Sequence, residues 1–255
     1  MEVFLNPDAW IALLTLTFLE IVLGIDNIIF ISIATGKLPA DKRKKATKLG
    51  MFLAMFMRIA LLFGINLLIQ MKEPWFHIDL SWFSAGITGQ SIILLLGGLF
   101  LIYKSTNEIR EKVDEKGHEE KEMKEAATKS FQNVILQIIM IDLVFSFDSI
   151  LTAVGMTNGV EGAIYIMVTA VIISVFIMMQ FAVPVGNFVN NHPSIQILGL
   201  AFLILIGMML LTESAHLSNA LIFGSHVTPL PKGYLYFAIT FSLVVEMINM
   251  KIKKK

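Results

Sequence analysis

Apolar runs of about 20 residues recur along this chain, and that is the length a helix needs to cross roughly 30 Å of hydrocarbon. Seven of them fall near residues 9–34, 47–70, 86–107, 131–155, 162–189, 195–213 and 233–250. Inside lipid the backbone has no water to bond, so such runs resolve into helices that satisfy their own amides. Composition agrees: 56% of the residues are hydrophobic, 16% are charged and the mean hydropathy is +0.74. A soluble domain of this size carries nearer a quarter charged residues. The sequence therefore predicts an all-α, polytopic membrane protein with seven transmembrane helices.

Several function classes drop out early. The formal net charge is zero, which gives no pull toward nucleic acid. The chain has no cysteine, so disulfides, thiolate metal sites and cysteine nucleophiles are excluded. No Ser–His or Cys–His set points to an enzyme. The N-terminal stretch MEVFLNPDAW has no basic region ahead of its apolar run and does not read as a cleaved signal peptide.

Basic residues predict the orientation. Seventeen of the 20 fall after the first span (Lys37, Lys42, Arg43, Lys44, Lys45, Lys48), around the third-to-fourth connection (Lys104, Arg110, Lys112, Lys116, Lys121, Lys124, Lys129) or in the tail (Lys251, Lys253, Lys254, Lys255). The opposite side has only Lys72 and Lys232, and Arg58 lies within a span. The positive-inside rule then places the N-terminus outside and the C-terminus in the cytoplasm. The polar stretch 107–129 mixes both signs at helical spacing and reads as a solvated linker.

Two spans carry carboxylates in register. LEIVLGIDNIIFISIATGK (19–37) aligns with IDLVFSFDSILTAVGMTNG (141–159) at a constant offset of 122 residues. Glu20 falls on Asp142, Asp26 on Asp148 and Thr35 on Thr157; the same offset sets Gly64 on Gly186. Chance matching explains aligned Val and Ile far better than two aligned acids. Three spans per unit make the second copy cross the membrane inverted, an architecture of transporters that bind substrate near the midplane. The expected organisation is a first three-helix repeat over 1–106, a charged cytoplasmic linker over 107–130, a second, inverted repeat over 131–215, and a seventh helix with a basic tail over 216–255.

Counting about 1.5 Å of rise per residue puts Glu20 and Asp142 near mid-membrane. With Asp26, Asp148 and Glu246 they make five intramembrane carboxylates, beside one guanidinium, Arg58. A charge in lipid is expensive unless paired or solvated, so such residues face a bundle interior and mark an ion path. Glu20, Gly24 and Asn27 share one helix face, as do Asp142, Ser146 and Ser149; Asp26 and Asp148 lie about 120° away on an unbroken helix. A local unwinding near Gly24 and Ser146 would bring all four acids to one cavity; otherwise each Asp faces a neighbouring helix. Carboxylate, amide and hydroxyl oxygens suit hard divalent cations such as Mg²⁺, Ca²⁺ or Mn²⁺. Protons compete for the same oxygens, which makes proton exchange a natural driving reaction.

Other features have plainer readings. Buried acids paired with Arg58 also serve as a structural clip. The 15 methionines and 19 phenylalanines read as packing. Lys104 and Glu108 read as a surface pair, and Glu213 with His216 as solvated residues at a span end. Small residues such as Gly97–Gly98 permit close helix contact within a chain or in a homo-oligomer.

The segments FLEIVLGIDNIIFISI, QIIMIDLVFSFDSILTAVGM, LAFLILIGMMLLTE and YFAITFSLVVEMINM together resemble the TerC family of integral membrane proteins, placed near the LysE-type exporters. The likeness covers all seven spans. That family was named for tellurium resistance, and similar members are linked to Mn²⁺ export and manganese homeostasis in bacteria. The resemblance implies a Mn²⁺ efflux protein of the bacterial cytoplasmic (inner) membrane, with no prosthetic group. It implies ligating positions at Glu20, Asp26, Asn27, Asp142, Asp148 and Ser149, with Glu246 and Asn249 from the last span. Arg58 is expected in support. The chain ends in KIKKK without the CBS or transporter-associated domains of some relatives, which gives the expectation of a minimal membrane module. The competing expectation is a membrane scaffold that binds protein partners through the 107–129 linker, its acids purely structural.

Overall fold

A computed structural model describes residues 6–114, 131–157, 160 and 162–253. Among these, seven helices are long and apolar enough to cross a membrane: α1 (Pro7–Gly36), α2 (Ala40–Phe63), α4 (Gly89–Asp114), α5 (Phe131–Met156), α6 (Ala163–Asn190), α7 (Pro193–Leu217) and α8 (Lys232–Lys253). A short α3 (Ile65–Gln70) follows α2. The all-α multi-pass architecture is as expected. Large apolar side chains such as Leu14, Phe18, Phe63 and Phe237 lie exposed along the helices, which suits a surface that meets lipid.

Local chemistry sets the helix ends. Asn6 Oδ1 accepts the Asp8 N–H at 3.0 Å, Pro7 supplies the first helical φ, and Asp8 sits in the positive first turn of α1. The second span ends at Phe63 with Gly64 as its cap, seven residues short of the expected boundary at 70, and the apolar INLLIQ that follows forms the separate turn α3. α4 begins at 89 because Thr88 and Ser91 cap it reciprocally. The Ser91 N–H donates to Thr88 Oγ1 at 3.0 Å, and the Thr88 N–H to Ser91 Oγ at 3.1 Å.

A small antiparallel sheet was not expected from the sequence. Its order is β1 (Pro74–Asp79), β2 (Phe83–Thr88), β3 (Leu221–Ile222), β4 (Ser225–His226), with His77 opposite Gly86 and Ser84 opposite Leu221. The β3–β4 turn holds Phe223 at φ 51° and Gly224 at φ 79°. Two positive φ values match a two-residue hairpin of the primed type, and they leave Phe223 fully presented at the tip.

The helices gather into two compact units. One comprises the described residues up to Asn66 and those from Phe131 to Asn191, so it holds α1, α2, α5 and α6. In it α1 packs along α6, and α2 packs against both α5 and α6. The other comprises Leu67–Asp114 and His192–Lys253, with the sheet, α4, α7 and α8. Within it α4 and α7 cross at two glycines. A Cβ on Gly98 would lie 2.7 Å from the Gly207 carbonyl oxygen, and one on Gly207 would lie 2.9 Å from that of Gly98. The Gly97–Gly98 spot thus serves a contact within the chain. Of the 107–130 linker, residues 107–114 extend α4, and 115–130 lie outside the described residues.

Candidate functional site

The first unit buries a charged cluster at its centre. Glu20 stands near the middle of α1, Asp142 near the middle of α5, and Arg58 reaches them from α2. All three are more than nine-tenths buried. Arg58 Nη1 pairs with Glu20 Oε2, and Nη2 with Asp142 Oδ1 at 2.8 Å. The guanidinium Nε donates to Ser146 Oγ at 2.9 Å and more weakly to Asp142 Oδ2 at 3.4 Å. Ser146 in turn donates to Asp142 Oδ2 at 2.9 Å. The two acids that the 122-residue offset sets in register thus meet at one guanidinium.

The helical period explains the gathering. On α1, Glu20, Gly24, Asn27 and Ile31 fall at steps of three or four residues, and on α5 so do Asp142, Ser146 and Ser149. Both helices run unbroken through Gly24 and Ser146. No unwinding brings Glu20 and Asp26, or Asp142 and Asp148, onto one face. Gly24 has a different task. A Cβ there would run into Met178 Sδ of α6, so the glycine lets the two helices close up.

Asn27 completes the cluster. Its Nδ2 donates to Asp142 Oδ1 at 3.4 Å, while its Oδ1 is buried with no hydrogen-bond partner. A buried acceptor left unmade costs on the order of 1–3 kcal/mol. It lines a cavity of about 20 Å³ together with Gly24, Met51, Met55, Arg58, Asp142 and Met178. That volume admits one water or one bare ion. A wider open groove of about 240 Å³ lies between the N-terminal half of α1 and the C-terminal end of α5, lined by Asp8, Thr15 and Thr157.

The remaining sequence-predicted residues fall elsewhere. Ser149 is buried but spends its hydroxyl on the Ser146 carbonyl at 3.3 Å. Asp148 is half-buried on another face of α5, where its carbonyl accepts from Thr152 Oγ1 at 3.0 Å. The Asp26 side chain lies outside the described residues. Glu246 and Asn249 belong to the second unit, where Asn249 Nδ2 approaches Glu246 Oε2 at 3.5 Å on α8. Among the described residues, no three His, Asp or Glu side chains converge as a preformed metal cage. Ser146, outside the expected ligand set, is fully buried and touches both partners of the ion pair. Its signal in the sequence was its position four residues after Asp142. Glu108 corrects another reading: it approaches Lys104 at 3.9 Å, yet its side chain is buried and not part of a surface pair.

Comparison with known proteins matches this architecture. The model of the family described as "Integral membrane protein TerC family" matches residues 5–255. The UPF0053 inner membrane protein YgdQ of Escherichia coli (strain K12) is 46% identical over 250 residues, covering 98% of this chain and 96% of its own. A UPF0053 protein of Haemophilus influenzae is 45% identical over 249 residues, with the same coverage of 98% and 96%. The UPF0053 inner membrane protein YoaE of Escherichia coli (strain K12) is 41% identical over 250 residues, which are 98% of this chain and 44% of that one. No solved structure matches. With the family pattern spanning all seven helices, the chain belongs to the TerC family of integral membrane proteins.

Proposed function

We propose that this protein exports Mn²⁺ from the cytoplasm through the buried cluster of Glu20, Asp142 and Asn27, in exchange for protons. One observation carries the reading: two mid-helix carboxylates from α1 and α5 meet at one guanidinium, and one of them, Asp142, lines a cavity one ion wide beside an amide oxygen that has no partner. Charges of this kind in a membrane-spanning bundle mark ion paths. In the state seen here Arg58 pairs with both acids. Formally the three groups sum to −1, and a divalent ion added beside an unmoved guanidinium would make the site cationic. Binding therefore requires Arg58 to release at least one carboxylate, and its return would help expel the ion.

The packing supports an inverted repeat. The offset of 122 pairs α1 with α5 and α2 with α6, and the structure packs α1 on α6 and α2 on α5, the exchange a two-fold relation produces. Thr35 and Thr157, equivalent by the same offset, are both buried and both bond the carbonyl four residues back, at 2.7 and 2.8 Å. We place the protein in the bacterial inner membrane, with the N-terminus outside, on the names of its relatives and the distribution of basic residues.

Mn²⁺ efflux from loaded cells tests the proposal, with Glu20→Gln, Asp142→Asn, Asp26→Asn and Asp148→Asn compared against the wild type. Export should fail in the first two; wild-type rates in all four would sink it. A second reading rests on the completeness of the Arg58 pairing: the acids clip three helices together in a scaffold that acts through partners. Deleting residues 107–129 separates the two, since transport survives on the first reading and function is lost on the second.

A further inference from the structure

The cavity beside Asn27 is lined not only by oxygens. Three methionines face it: Met51 and Met55 of α2 and Met178 of α6, each more than nine-tenths buried. Met51, Met55 and Arg58 lie on one stripe of α2, at steps of four and three residues. Met178 brings its sulfur against the α1 backbone at Gly24, midway between Glu20 and Asn27 on the same face. Gly24 thereby holds a thioether within the reach of the site where a side chain would have displaced it.

We propose that these thioethers, Met178 foremost, are the specificity-determining donors of the ion site, admitting transition-metal ions such as Mn²⁺ and rejecting Mg²⁺ and Ca²⁺. The inference rests on the transport reading above and deepens it. Carboxylate and amide oxygens accept all three ions and cannot separate them. A chamber of about 20 Å³ forces an entering ion to shed most of its water. Mg²⁺ and Ca²⁺ are hard ions whose lost water only oxygen replaces, and Mg²⁺ dehydrates reluctantly. A thioether is neutral, soft and polarizable, so it returns more of the dehydration cost to Cd²⁺, and to Mn²⁺ as the softer ion beside Mg²⁺ and Ca²⁺. Packing alone asks only for volume, and the same wall already uses Ile28, Ile31 and Val175 for that purpose.

The test removes sulfur and keeps volume. The full chain is reconstituted in proteoliposomes, and transport of Mn²⁺, Cd²⁺, Mg²⁺ and Ca²⁺ is measured one ion at a time. Met178→Leu and Met55→Leu should slow Mn²⁺ and Cd²⁺ roughly tenfold while leaving Mg²⁺ and Ca²⁺ unchanged or faster. Met178→Gln, which replaces sulfur by oxygen, should shift preference further toward Ca²⁺. X-ray absorption at the cadmium edge of Cd²⁺-loaded wild type should show a sulfur neighbour that Met178→Leu loses. Equal changes for all four ions, no change in either leucine variant, or a sulfur-free shell in the wild type each overturn the thioether role while wild-type Mn²⁺ transport stands. A wild-type protein that moves no divalent cation overturns the transport reading as well.

Discussion

Arg58 Nη2 lies 2.8 Å from Asp142 Oδ1, and the same guanidinium holds Glu20 from the opposite helix, all three residues more than nine-tenths buried. Removing one partner of a buried pair leaves an uncompensated charge, at a cost of about 3–5 kcal/mol. Arg58→Gln should therefore lower the thermal unfolding temperature in detergent. Mn²⁺ should restore part of the loss, because an ion bound only by the folded protein stabilises it by mass action. If Arg58 acts as a tethered competitor, the variant also binds Mn²⁺ roughly tenfold more tightly, about 1.4 kcal/mol. An equal Mn²⁺-induced shift in wild type and variant would show that the guanidinium is structural only.

Asn27 and Ser149 are equivalents by the repeat offset, yet the structure gives them different duties. Asn27 Oδ1 has no partner, whereas the Ser149 hydroxyl is committed to the Ser146 carbonyl. Asn27→Leu should reduce Mn²⁺ transport at least tenfold, in the range seen when metal-site groups are lost. Ser149→Ala should cost about 1 kcal/mol of stability or less, the net worth of a neutral hydrogen bond, and leave transport near wild type. Parallel dose–response curves of Mn²⁺ efflux for the two variants settle the comparison. A Ser149→Ala defect as large as that of Asn27→Leu would restore the serine as a ligand.

The contrast shows what the sequence can and cannot carry. Lipid permits few backbone solutions, so seven long apolar runs sufficed to place seven helices. Their ends were harder, because an apolar average does not register Gly64 or the Thr88–Ser91 cap. The sheet was missed because FSAGIT is apolar enough to merge with the span that follows it, and PWFHID reads as loop. Glu20 and Asp142 were legible as counterparts, since charge inside a span is conspicuous. That Arg58 joins them was open, because it depends on how α2 packs against α5. Helical spacing paired Lys104 with Glu108 but could not tell which face of α4 is covered. Met178 read as packing, as any single methionine does until its neighbours are known.

The α4–α7 crossing offers a stability prediction independent of the site. At Gly98 and Gly207 each missing Cβ faces the partner's carbonyl oxygen, which cannot rotate away as a side chain can. Gly98→Val or Gly207→Val should force the helices apart and destabilise by about 1–3 kcal/mol or more. Thermal unfolding in detergent and protease resistance of the purified chain provide the measurement. Gly155, whose Cβ would meet nothing within 4 Å, is the control: Gly155→Ala should be neutral or slightly stabilising, as helix propensity dictates.

Gly24 differs from those crossings because its obstacle is a flexible side chain. A Cβ there strikes Met178 Sδ and Cε and no backbone atom. Gly24→Ala should be absorbed by a new Met178 rotamer, with little loss of stability but a measurable loss of Mn²⁺ transport as the sulfur is pushed from the cavity. Gly24→Val, with two more carbons, should destabilise by about 1–3 kcal/mol. Pairing Gly24→Val with Met178→Ala should recover most of the stability, since the double change removes the clash. It should not recover transport, since the thioether is gone. Stability and efflux measured on the same four proteins separate packing from ion handling at this contact; recovery of both in the double variant would mean that Met178 contributes volume alone.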